Sequence, residues 1–528
     1  MDFNKLKQII YTLRFIKLTQ LVFQIKYRYL KKNYQKKFSD IESPINLPII
    51  KPFIEDKISY QNNEFSFLNK NQKFDKINWN FSEFGKLWTY NLNYFDFLNQ
   101  SNLDCSTGLN LMLDYCDSRK SLKDGLEPYP ISLRIINWIK FISKNKIDNT
   151  KVNKHLYNDY LILQNKLEFH IQGNHLLENA FSLFFGAHYF KNSKWLIKAE
   201  KLLNKELKKQ ILADGAHYEL SPMYHKIILI RTLDAYNFAT ANIKCSNETI
   251  KLLYSISSKM LSWLEAISFD NGEIPMINDS SPEITPSNSK IKTYADSLGI
   301  KYTKTELKES GYRKINHNKF ELIFDIGQIA PSYQPGHSHA DNLNIILNYK
   351  NIPVIVDTGI STYEKNNIRQ LERSSSSHNL VTLNNLNSSD VWSGFRVGKR
   401  ATTKILKDTK TEIIASHDGY KSDGVIIQRA IKIDEDIIRI IDDTNSKDKL
   451  LTGHFHFHPN NSLEISKNKI TVNKKIIITF TDAISIKINT YNWCKEFNLT
   501  ELATKIEYTF SNRCIINISK KNEDFISY

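Results

Sequence analysis

Cysteine is scarce in this chain, and its placement excludes two kinds of protein. The 528 residues carry only Cys105, Cys116, Cys245, Cys494 and Cys514, an odd number at wide spacing with no C-x-x-C. That pattern excludes a disulfide framework and a cysteine metal site, and a reducing compartment fits it. Long apolar runs are missing too. Arg14 and Lys17 interrupt the first apolar stretch, no small-residue cleavage site follows, and no later stretch is long enough to cross a bilayer. The expectation is a cytoplasmic chain without a signal peptide. Leu6 to Lys32 reads as a basic amphipathic helix, either packed on the body or touching a membrane surface. Dense Arg/Lys tracts with interleaved aromatics are also absent, which makes nucleic acid the weakest class of partner.

What is present describes a large globular protein. A hydrophobic fraction of 41% and an aromatic fraction of 12% exclude disorder, and the length exceeds what one core supports. The formal charge of +16 favours an anionic partner such as an acidic polysaccharide or a membrane surface, or reflects a Lys- and Asn-rich proteome.

The hydrophobic period divides the chain. From about residue 85 to 268, apolar residues recur at three- and four-residue spacing, as in Ile135-Ile136-Trp138-Ile139 and Leu176-Leu177-Ala180-Phe181. Serial helical hairpins of this kind stack into a bundle, solenoid or toroid. Residues 269–290, with Asp270-Asn271-Gly272, Pro275, Pro282 and Pro286, read as a loop and boundary. From about residue 320 the period is two, with turns every eight to twelve residues, as in an antiparallel sandwich. The expected units are a basic helical segment (1–60), a helical domain (61–310) and a β domain (311–528). A cleft between the last two is a favoured ligand site.

Four polar clusters stand out. Pro335-Gly336-His337-Ser338-His339-Ala340-Asp341, with Asp357 and His378-Asn379 downstream, supplies two imidazoles and a carboxylate that suit a zinc-type ion, plus one free histidine able to carry a proton. Gly173-Asn174-His175-Leu176-Leu177-Glu178-Asn179 opens a helix, with Asn174 a plausible N-cap. Asp214-Gly215…Glu219-Leu220-Ser221-Pro222-Met223-Tyr224-His225 starts another. In the cluster from Pro128 to Trp138, Tyr129 stands near the start, and Arg134 and Asn137 share a helix face. Arg134 is suited to a carboxylate or sulfate, or to an unseen acid in the core.

Together these motifs resemble the heparinase II/III-like polysaccharide lyases and the related alginate lyases, from roughly Trp88 to the C-terminus. The resemblance implies an N-terminal incomplete (α/α) toroid followed by a C-terminal antiparallel β-sandwich. It implies β-elimination of an anionic, uronic-acid-containing glycan, with capsule or O-antigen metabolism as a context for a chain without an export signal. It assigns Asn174 and His175 to the substrate carboxylate, Tyr224 and His337 to proton transfer, Glu178 to an acidic position used in some members and Tyr363 to substrate contact, while Tyr129, Arg134 and Asn137 are expected to bind substrate on the chemistry of their own cluster. It assigns His339, Asp357 and His378 to one structural divalent metal, zinc by type, and calls for no organic cofactor. Alternating His454, His456 and His458 form a competing metal set, or a packed row. The alternative function is a non-catalytic acidic-glycan-binding protein of envelope assembly, docked at a membrane by the N-terminal helix.

Overall fold

The computed structural model of the protein describes residues 3–29, 51–242 and 244–521. Two helices come first, α1 (Phe3–Leu13) and α2 (Leu18–Tyr29). The single basic helix expected over 6–32 is therefore broken at residues 14–17, and Leu30 to Lys32 lie outside the described residues. A three-stranded antiparallel sheet (Tyr60–Gln61, Glu64–Phe67, Lys70–Lys73) follows, which the helical periodicity did not announce.

The helical domain then runs through α3 (Lys86–Tyr94), α4 (Cys105–Ser118), α5 (Pro128–Asn145), α6 (Thr150–Asn165), α7 (Gly173–Tyr189), α8 (Ser193–Gln210), α9 (Pro222–Thr240), α10 (Asn247–Ile267) and α11 (Asn288–Ser297). Local chemistry sets their starts. Asp104, Asn149, Asn192, Ser221 and Ser246 each accept a backbone N–H of the first turn. Pro128 and Pro222 sit at the first turns of α5 and α9, where no amide donor is needed. Asn174 is not a cap. Gln172 holds that position without a side-chain bond, at φ 67, and Gly173 follows at φ 60. The helices close around one core that includes Trp88, Trp138, Phe181, Leu229 and Leu264.

From Tyr312 the chain is sheet. A four-stranded antiparallel sheet (Tyr312–His317, Phe320–Asp325, Ile345–Tyr349, Ile352–Ile355) comes first. An eight-stranded sheet runs in spatial order 403–408, 412–417, 427–434, 437–444, 513–520, 476–481, 469–472 and 463–466. A further four-stranded sheet orders Ser485–Glu496, Leu499–Phe510, Leu451–His456 and Val381–Leu383. Strict in-out alternation, clearest in Ile437–Thr444, feeds the β core. A helical toroid followed by an antiparallel sandwich is thus the architecture. Trp263, Ile267, Phe269 and Leu220 pack with Tyr312, Ile323 and Ile346 in one buried cluster, so the two domains share apolar contact.

Candidate active site

The site lies where the first turns of α7 and α9 meet loops of the β domain. Ser221 accepts the Tyr224 backbone N–H and donates to the Asp279 carbonyl, which fixes the start of α9 against the inter-domain segment. The Tyr224 ring stacks on His337 with centroids 3.8 Å apart. The Tyr224 and Tyr363 hydroxyls are 3.3 Å apart. His175 Nδ1 meets Glu168 Oε1 at 3.0 Å, and the His175 ring lies 4.4 Å from that of Tyr129. The structure thus brings Tyr224 together with His337 and Tyr363, and His175 together with Tyr129.

Two carboxylates organise the cluster. Asp279 Oδ2 accepts from His337 Nδ1 at 2.8 Å, and Oδ1 contacts His339 Nε2 at 2.9 Å. Arg369, on the short helix α12 (Asn367–Glu372), clamps both oxygens at 2.5 and 2.7 Å. Burial pushes the Asp279 carboxyl up, but Arg369 and the two imidazoles outweigh it and hold the group well below the usual carboxylate range. Glu219 accepts the Asn174 backbone N–H at 2.9 Å and places its other oxygen 3.7 Å from His337 Nε2. Burial raises its carboxyl above the ordinary value. A Cβ at residue 173 would meet Glu219 Oε1 at 2.2 Å, so this close approach requires glycine.

Three expected substrate contacts are corrected. Arg134 is fully buried, with its guanidinium on Asp159 and on the Asn93 and Gly125 carbonyls, so it holds α5 to its neighbours. Asn137 is buried and donates to the Tyr94 carbonyl and Asp96. Glu178 is buried and paired with Arg231 Nε at 3.0 Å, so its carboxylate is already held by a counterion. Asp279, Arg369 and Glu219 were not predicted as site residues. Asp279 sits in the Pro- and Ser-rich stretch that reads as a loop and boundary, and Arg369 has no motif around it. Only Glu219 stood inside a motif.

His339, Asp357 and His378 also come together. The two imidazole centroids are 5.3 Å apart, and His378 Nδ1 meets Asp357 Oδ2 at 2.8 Å. His339 Nδ1, His378 Nε2 and Asp341 Oδ2 are buried without hydrogen-bond partners. Asp357 is otherwise engaged by Asn344 and the Gly359 N–H. Among the described residues, no group of three or more His, Cys, Asp or Glu side chains is already arranged as a metal cage. His454 bonds Thr382 and His456 bonds Asn379, which fits a packed row. His458 lies beyond the strand, against Trp493.

Comparison with known proteins places the chain in a family. Residues 130–302 match the family model described as heparinase II/III N-terminus, and residues 301–523 match that of the heparinase II/III-like C-terminal domain. The heparin-sulfate lyase of Pedobacter heparinus is 30% identical over 244 residues, covering 41% of this chain and 37% of that protein. That of Bacteroides stercoris is 26% identical over 263 residues, covering 43% and 39%. The matched stretch thus spans under two fifths of the curated relatives' length. The crystal structure of heparinase III superposes with a TM-score of 0.68 at 15% identity, covering 95% of this chain and 90% of that one. Heparan sulfate lyase of Pedobacter heparinus gives 0.52 at 17% identity, covering 96% and 89%. The two family models match consecutive segments in order and together take in most of the chain, which belongs to the heparinase II/III-like family.

Proposed function

We propose that the protein is a polysaccharide lyase that cleaves an anionic, uronate-containing glycan by β-elimination. The observation that carries this reading is the stack of Tyr224 on His337, with His337 Nδ1 tied to an ionised Asp279. That tie places the ring proton on Nδ1 and leaves the Nε2 lone pair free to take the weakly acidic C5 proton. Burial raises the Tyr224 hydroxyl, so it keeps its proton at neutral pH and serves as the acid for the leaving O4. The C4–O4 bond breaks, a C4–C5 double bond forms, and no covalent intermediate is needed. Asn174 and His175 neutralise the substrate carboxylate as charge builds on it. Burial lowers the His175 proton affinity, but Glu168 outweighs that and raises it, which favours the cationic ring this task needs.

Incubation with a panel of uronic-acid glycans is expected to yield a product with near-ultraviolet absorbance. Tyr224→Phe and His337→Ala should each lower turnover on the order of 10²-fold or more. A new reducing end without the chromophore, or full activity in both variants, would overturn the reading. Turnover of the glycan made by the same cell would support a capsule or O-antigen role. Binding of acidic oligosaccharide with no turnover would favour the non-catalytic alternative.

A structural divalent ion is part of the proposal. Two imidazoles and a carboxylate suit zinc, and His339, Asp357 and His378 would hold it. Support comes from His339 Nδ1 and His378 Nε2, buried and unpartnered. The ion would anchor the loop that carries His337. In metal analysis of purified protein, His339→Ala should lose the ion and His337→Ala should keep it. An ion retained in His339→Ala but lost in His456→Ala would refute the assignment.

A further inference from the structure

The N-terminal helices leave much of their apolar surface facing outward. An amphipathic helix packed on a body normally buries its apolar face. In α2 the buried residue is Gln20, only 5% exposed, whose amide donates to the His170, Ile171 and Tyr333 carbonyls. Leu18, Val22, Ile25 and Tyr29, spaced as one helical stripe, face outward, with Leu18 75% exposed and Ile25 58%. In α1, Ile10 and Leu13 are likewise exposed, while Thr12 accepts from Trp392 Nε1 and lies against the Val397 carbonyl. Docking contacts thus combine these hydrogen bonds with ring contacts, Phe23 on Phe169, Tyr27 on His170 and Arg400 over Phe15. They reach the helical domain at 167–171 and the β domain at 333 and 392–400, so the pair is held in place while its apolar stripe stays uncovered by the described residues.

Charge identifies what covers the stripe. Between Phe3 and Tyr29 the sequence has Lys5, Lys7, Arg14, Lys17, Lys26 and Arg28 and no Asp or Glu, and it continues with Lys31, Lys32, Lys36 and Lys37. A second copy of this face would bring like charges together. A soluble polyanion would use the lysines but not an aliphatic stripe. No helix among the described residues is long and apolar enough to cross a bilayer. We infer that α1 and α2 form an interfacial anchor that lays its stripe into an anionic lipid surface, with the basic residues at the headgroups.

The test is co-sedimentation of the full chain with phosphatidylcholine vesicles, with and without phosphatidylglycerol, in the absence of glycan. Binding to the anionic vesicles is expected to be at least tenfold tighter than to the neutral ones and to weaken as salt is raised. The combined Leu18→Ser, Val22→Ser and Ile25→Ser variant should lose at least tenfold in binding. So should Lys5→Glu with Lys26→Glu and Arg28→Glu. Both should keep wild-type thermal stability and turnover of soluble substrate, because every substituted residue is exposed. Three results would overturn the inference: no binding to anionic vesicles, undiminished binding of the serine variant, or self-association of the wild type abolished by the serine substitutions. Since the assay needs no substrate, its outcome is independent of the proposed lyase activity.

Discussion

At the scale of single residues, Asp279 does the most for the site. One carboxylate fixes a ring proton on His337, holds His339 and takes both terminal nitrogens of Arg369. Asp279→Asn keeps the shape but gives His337 Nδ1 a partner that can donate or accept, so the tautomer is no longer set. Turnover is expected to fall on the order of 10²-fold or more with little change in KM. The variant also leaves the Arg369 charge buried without its counterion, at a cost of about 3–5 kcal/mol. Circular dichroism must therefore accompany the kinetics. A folded Asp279→Asn protein with unchanged kcat would remove Asp279 from the mechanism. How well these residues could be read from sequence depended on their neighbours. Tyr224, His337 and His175 sit in motifs of unusual polar density at helix starts and tight loops, and such density has few structural explanations. Asp279 and Arg369 act through each other across 90 residues, and no local pattern carries that information.

At the scale of elements, the same blindness explains Arg134. On α5 it stands among apolar residues, and sequence alone offered two readings, an anion clamp or a buried ion pair. The deciding partners, Asp159 on α6 and Arg119 after α4, come from other elements. Periodicity recovered the helices and the alternating strands, because burial repeats along each element. It missed the small sheet at residues 60–73, whose strands are at most four residues long. Arg134→Met is expected to lower stability by about 3 kcal/mol, because Asp159 keeps only Arg119 and the buried Asn93 and Gly125 carbonyls lose their donor, with kcat of the folded fraction unchanged. Thermal melts against pH add a second check. Burial raises the Asp159 carboxyl, but Arg119 and Arg134 outweigh it and hold it below the ordinary value. Its contribution is therefore full above the unfolded value of about 3.9 and is lost as pH falls through the lower folded value. Asp159→Asn should be less stable at neutral pH and should show a shallower loss on acidification. Equal melting temperatures at pH 7 would argue that the pair contributes nothing.

At the scale of the whole molecule, the site belongs to neither domain. The helical domain supplies Tyr224, Asn174, His175 and Glu219, and the β domain supplies His337, Tyr363 and Arg369. Asp279 joins them from the loop between α10 and α11. The two family segments meet at residues 301–302, after Asp279 but before each partner of its carboxylate. A protein divided there would leave Arg369 without its counterion in one piece and a lone carboxylate in the other, and would bare the apolar surface around Trp263 and Tyr312. Each piece made alone is expected to aggregate, while the two made together should co-purify and recover activity. A monomeric, cooperatively melting piece 301–528 would contradict this. On the expected outcome, the two segments that the family models match separately are one unit of folding. A recombination event at that junction could succeed only if the incoming half already brought an arginine and two histidines to meet the aspartate left behind.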